Sequence, residues 1–177
     1  MKRIFLILIP IYSFAIALTS CQTNKPAKAI DVSTIDNLDV ARYMGRWYEI
    51  ARYDHRFEKG MTHITAEYSL MTNGKIKVVN SGIKNGKPKS ITGKARFQTK
   101  ESNGKLEVSF FSFFYSDYYI LELDEDYHYA VIGSRSDEYL WILSRTPKPP
   151  QQIIDSLLTK IQARGYDTTN LYFVPQN

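Results

Sequence analysis

Between residues 46 and 145 the chain is cut into short runs by turn-forming clusters. These are "TNGK" at 72–75, "KNGKP" at 84–88, "ESNGK" at 101–105, "LDEDYH" at 123–128 and "RSDE" at 135–138. Three of them contain Asn-Gly, the strongest short hairpin signal, because both residues tolerate positive φ. The spacing predicts strands near 46–54, 62–71, 75–83, 89–99, 104–111, 117–124, 128–135 and 138–145. Hairpin after hairpin makes an antiparallel meander. Eight such strands can close into an up-and-down barrel with no exposed edge. A barrel of that size is just wide enough inside for one small ligand. The expected fold class is therefore all-β, an eight-stranded antiparallel β-barrel. The period then changes: Ile154, Leu157, Leu158 and Ile161 fall at helical spacing, with Pro150 before them and Gly165 after. One apolar stripe places this C-terminal helix against the outside wall of the barrel. "LYFV", 171–174, reads as a short final strand.

The first 20 residues, "MKRIFLILIPIYSFAIALTS", put two basic residues before an apolar run. That is the layout of a secretory signal peptide, and the run is interrupted by Pro10 and short for a membrane span. Its end, "LTSC", resembles the bacterial lipobox, in which cleavage occurs just before the cysteine. The resemblance implies a diacylglycerol on the thiol of Cys21 and a further acyl chain on its amine, an anchor much firmer than one chain gives. Gln22, in place of Asp, favours the outer membrane by the same resemblance to Gram-negative lipoproteins. Residues 21–36 are polar and lack periodicity, and read as a lipidated N-terminus and tether. The folded domain is expected over 37–177.

The remaining composition excludes more than it selects. Of 23 Lys and Arg, two lie in the leader, so 21 basic against 18 acidic residues leave a charge of +3. The basic residues are scattered, and a nucleic-acid surface would cluster them. Cys21 is the single cysteine, so no internal disulfide and no other thiol nucleophile exist. His55, His63 and His128 are far apart, with no metal-spaced motif, no nucleophile elbow and no phosphate loop nearby. No metal and no cofactor are expected. Asp124, Glu125 and Asp126 read as a turn whose aspartate caps backbone amides. The most unusual segment is "FFSFFY", 110–115, at the end of one strand and into the next loop. Alternation buries only half of such a run, so some rings face outward. That density marks a ligand mouth, a membrane-contacting rim or a homodimer face.

Gly45-Arg46-Trp47 matches the G-x-W signature of lipocalins. "GRWYEIARYDHRFEKG" resembles the bacterial outer-membrane subgroup, which is also similar to apolipoprotein D and the plant temperature-induced lipocalins. "LDEDYHYAVI" resembles the second lipocalin region, although Leu123-Asp124 with a spaced Tyr127 replaces the usual Thr-Asp-Tyr. "YLWILSRTP" resembles the third, which centres on Arg145. The similarity runs in order from about Val40 to Val174. It implies that Trp47 plugs the closed end of the barrel with Arg145 across its ring, a contact of about 0.5–2 kcal/mol.

Strand parity set from Arg145 gives an inward set, whose ligand-binding members are expected to be Ala66, Tyr68, Val78, Asn80, Ala95, Phe97, Val108, Phe110, Tyr118, Ile120, Ala130, Ile132, Tyr139 and Trp141. Ile64, Leu106 and Leu143 share that face. The small residues Ala66, Ala95 and Ala130 are expected to leave room for a cavity, and no interior Lys or Arg is expected above Arg145. The resemblance then implies a lipoprotein on the periplasmic side of the outer membrane. It would carry fatty acids or lysophospholipids for envelope lipid maintenance and have no enzymatic activity. Two other classes fit the same residues. One is an isomerase-type enzyme on this fold, and the other is a partner-binding module with a filled barrel.

Overall fold

Asn85 and Gly86 take positive φ, 53° and 70°, and the chain reverses there in the two-residue turn that Asn-Gly favours. This computed structural model describes residues 29–99 and 103–176. Cys21 and the expected signal peptide lie outside the described residues. A four-residue helix, α1 (Val40–Tyr43), leads into eight strands: β1 (Gly45–Tyr53), β2 (Met61–Leu70), β3 (Ile76–Lys84), β4 (Lys87–Phe97), β5 (Lys105–Phe111), β6 (Phe114–Leu123), β7 (Tyr129–Gly133) and β8 (Leu140–Ser144). Then come α2 (Gln151–Ala163), a turn of 3₁₀ helix (Thr168–Asn170) and β9 (Leu171–Phe173). Each expected strand is present, with its ends moved by three residues at most.

Every sequential pair is antiparallel, and β1 also pairs with β8, which closes the barrel. The first half of β1 bonds β2 and its second half bonds β9, so the last strand fills the gap where β2 diverges. Gln176 pins that seam, because its amide donates to the carbonyls of Glu49 and Ile64 at 2.8 Å each. No helix among the described residues is long and apolar enough to cross a membrane.

The other Asn-Gly sites behave differently from Asn85-Gly86. Asn103-Gly104 closes a longer connection, and Gly104 serves a close approach. A Cβ there would sit 2.7 Å from the Ile120 carbonyl oxygen and 2.8 Å from Thr34 Cβ. Thr34 belongs to the stretch read as a tether. Within it Ile35 packs on the inner core, while Ile30 and Val32 pack on the outer one. Arg164 donates to the carbonyls of Ser33 and Leu121. Packing therefore begins near Ile30 and not at residue 37, through three apolar side chains too sparse to stand out. The aromatic run also differs from expectation. Its loop is only Ser112-Phe113, with Ser112 at φ 52°, and Phe114 already belongs to β6 opposite Phe111. Aromatic residues fit a pleated surface and extend the strand to the hairpin tip.

Two apolar clusters share the barrel wall. The outer one joins Ile154, Leu157 and Ile161 of α2 to Ile50, Ala51, Tyr119, Leu121, Val131, Leu140 and Ile142. The inner one gathers at the end of the barrel where β1 starts. There Trp47 is fully buried, and its indole N–H donates to the Tyr43 carbonyl at 2.9 Å. The Arg145 guanidinium lies 3.9 Å from the centroid of the Trp47 ring. It donates to four carbonyls: Tyr127 (3.1 Å), Arg46 (2.9 Å), Arg42 (2.8 Å) and Tyr43 (3.1 Å). The hydroxyls of Tyr43 and Tyr68 both meet that of Tyr118, at 2.6 and 2.9 Å. The Tyr127 hydroxyl accepts from the Asp39 amide, and its ring carries the Arg42 guanidinium at 4.2 Å. One end of the barrel is thereby sealed.

Removing the indole leaves a large void in this seal. Trp47→Ala should cost about 3–5 kcal/mol in chemical denaturation. Arg145→Lys should lose most of what Arg145→Ala loses, because one ammonium cannot reach four carbonyls and cover a ring. A lysine variant as stable as the parent would contradict this.

Candidate functional site

Inward side chains alternate along each strand, so what fills the barrel is set by which inward residues are large and where. Near the sealed end they are large and tightly packed. Toward the other end they leave a cavity of about 720 Å³, within the range of small-ligand sites. Val78, Val108, Phe110, Tyr118, Ile132 and Leu143 give it apolar walls. Asn80, Tyr139 and Trp141 add polar edges. Asn80 Oδ1 is buried without a hydrogen-bond partner among the described residues.

Of the fourteen residues expected to bind ligand, Tyr139 stands partly exposed at the mouth and the others belong to the interior, at two depths. Val78, Asn80, Val108, Phe110, Tyr118, Ile132, Tyr139 and Trp141 line the cavity. Ala66, Tyr68, Ala95, Phe97, Ile120 and Ala130 pack beneath it with Trp47. The three alanines therefore do not make the room. Rings from Tyr43, Trp47 and Tyr68 close over them, and the space lies higher, beside Ser81, Ser90, Ser116 and Ser134.

The sequence reading missed a buried charged group on the cavity wall. A bulge between Glu49 and Ala51 changes the parity of β1, so Ala51 packs with the outer cluster and Arg52 is buried. Arg52 donates to Glu49 at 3.0 Å, Asp54 at 2.9 Å and the Glu58 carbonyl at 2.9 Å, and the ring of Tyr172 lies 4.9 Å from its guanidinium. Trp141 Nε1 donates to the Glu58 carboxylate at 3.2 Å. Glu49 and Glu58 both line the cavity. The expectation of no interior cation above Arg145 is thus corrected by Arg52, while Lys84, Lys89 and Arg135 stand around the mouth. Arg52 is committed to its carboxylates, and Arg135 is held by Asp117 at 2.6 Å.

Three carboxylates around one guanidinium share too little positive charge. Burial, then the nearby Glu58, pushes Glu49 up to about 8, against the pull of Arg52. Glu58 is raised by burial as well. His55 stacks on Phe57 and packs at a tilt against Tyr139 near the mouth, and burial lowers it. At the sealed end Asp124, Asp126 and His128 lie within 4.8 Å of one another, largely exposed. Asp124 accepts from the Tyr129 amide, the backbone cap read from the sequence.

A Glu raised in the folded state holds a proton that the unfolded chain has released, so its contribution to stability is lost as pH rises from about 4.5 to about 8. His55, lowered in the folded state, works in the opposite sense below its ordinary value. The Glu49→Gln difference isolates the carboxyl. Thermal midpoints followed across this window should fall less steeply with pH in Glu49→Gln than in the parent. Parallel curves would contradict the assignment.

The described fold has counterparts among known proteins. The model of the lipocalin-like domain matches residues 38–176. The outer membrane lipoprotein Blc of Vibrio cholerae is 42% identical over 148 residues, 82% of this chain and 86% of that protein. The protein of the same name from Escherichia coli K12 is 37% identical over 174 residues, covering 96% and 97%. Temperature-induced lipocalin-1 of Arabidopsis thaliana is 38% identical, covering 83% and 84%. Among solved structures, apocrustacyanin C1 superposes with a TM-score of 0.70 at 20% identity, covering 86% and 90%, and so supports the fold. The chain belongs to the lipocalin family.

Proposed function

We propose that this chain is an outer-membrane lipoprotein, anchored through acyl groups on Cys21, that carries fatty acids or lysophospholipids in its barrel on the periplasmic side. The observation that supports it most is the cavity of about 720 Å³, walled by Val78, Val108, Phe110, Ile132 and Leu143 and sealed below. An acyl chain there would gain about 0.8 kcal/mol for each methylene removed from water. Lys84 and Lys89 at the mouth suit a carboxylate or phosphate left near solvent. Relatives named as outer membrane lipoproteins support the location.

The reading is of a binding protein and not an enzyme. Glu49 and Glu58 face the cavity, but their partners are Arg52 and Trp141, and relatives are named as lipoproteins and lipocalins. A barrel filled by its own side chains does not fit a cavity of this size.

Calorimetry with saturated fatty acids from about eight to about eighteen carbons should show affinity rising roughly fourfold per methylene until the cavity is full. Val108→Trp, which fills the cavity from one wall, should abolish that binding and leave the unfolding midpoint close to the parent's. Affinity indifferent to chain length, or unaffected by the tryptophan, would overturn the proposal.

A further inference from the structure

Trp47 lies at the start of β1, so the β1–β2, β3–β4, β5–β6 and β7–β8 connections all stand at the opposite, open end. Two of these, across the mouth from each other, carry bare phenyl rings. Phe57 is 61% exposed on β1–β2, and Phe111, Phe113 and Phe114 are 70%, 81% and 77% exposed at the β5–β6 tip. Large rings presented to water at one pole are an interaction surface and not chance. Arg56 and Lys59 share the β1–β2 loop, and Lys84, Lys87 and Lys89 flank the β3–β4 turn. None of these five cations makes an ion pair among the described residues.

We infer that this rim docks onto an anionic lipid bilayer, with the phenylalanines among the acyl chains and the lysines on phosphate headgroups. Apolar rings flanked by lysines are the composition that binds at an anionic interface, where buried apolar area and headgroup charge both contribute. A second copy is a poorer occupant, since two such rims would bring like charges face to face. Phe57, Phe111 and Phe114 also line the cavity, so a docked mouth opens into the bilayer. An acyl chain could then pass between them without crossing water. The docking itself rests on the rim; only this purpose rests on the proposed cargo.

The test uses the full chain reconstituted in vesicles of phosphatidylethanolamine and brominated phosphatidylglycerol. Trp47 and Trp141 give a fixed background. A reporter at the rim, Phe113→Trp, is compared with Thr72→Trp at the sealed end. The rim reporter should be blue-shifted and quenched by the brominated chains, and the sealed-end reporter should show neither effect. Lys84→Ala, Lys87→Ala and Lys89→Ala should each lower the docked fraction relative to the free one roughly fivefold. Equal quenching at both reporters, or none at either, would overturn the inference. So would a blue shift at position 113 that grows with protein density without bromine quenching, because a second copy would then cover the rim. Loss of fatty-acid binding with rim quenching intact would sink the cargo and leave the docking standing.

Discussion

The Arg145 guanidinium, stacked on the indole of Trp47 and bonded to four carbonyls, ties the last barrel strand to α1 and the start of β1. A meander of hairpins has local contacts along its length but needs one long-range closure to become a tube. The pairing of β1 with β8 supplies it, and Arg145, bonded to the Arg42 carbonyl 103 residues away, locks it. With those carbonyls satisfied, the backbone at the plugged end has no need of water, and the cross-barrel contact of Tyr43 and Tyr68 with Tyr118 can be dry. Burial pushes the Tyr68 hydroxyl up to about 12, so it stays neutral.

Sealing one end decides the character of the other. Beneath the cavity the rings of Tyr43, Trp47 and Tyr68 pack across the barrel, while above them Val78, Val108, Asn80 and serines stand between the larger side chains and leave space. The charged group beside it, Arg52 with Glu49, Asp54 and Glu58, fixes the β1–β2 corner. A buried ion cluster is weak evidence for stability, because desolvation offsets much of its attraction. Here it holds the loop bearing Phe57 over the mouth, through the bonds from Arg52 to the Glu58 carbonyl and from Trp141 to its carboxylate.

The fold was legible because its signals are local: Asn-Gly turns, period-two alternation, and the helical stripe of Ile154, Leu157 and Ile161. Trp47 and Arg145 were legible only through their resemblance to a family pattern, since nothing in periodicity pairs residues so far apart. The depth of the cavity was not legible. Parity tells which face a residue takes, but not whether a neighbouring ring has already covered it, and so Ala66, Ala95 and Ala130 looked like empty space. Arg52 was hidden by the bulge after Glu49, which reverses inside and outside without any glycine or proline to announce it. The run 110–115 was expected to turn some rings outward, but which ones was not legible, because the two-residue turn that projects Phe111, Phe113 and Phe114 depends on Ser112 adopting positive φ, which serine seldom does.

The central claim is that the barrel is hollow above Tyr118 and solid below it. Methyl NMR with a spin-labelled stearate, the nitroxide near its terminal methyl, tests this most directly. Methyls of Val78, Val108, Ile132 and Leu143 should broaden strongly, while those of Leu157 and Ile161 on the outer wall stay sharp. Broadening on the outer wall in place of the interior would mean that lipid binds outside the barrel, and the carrier reading would fail.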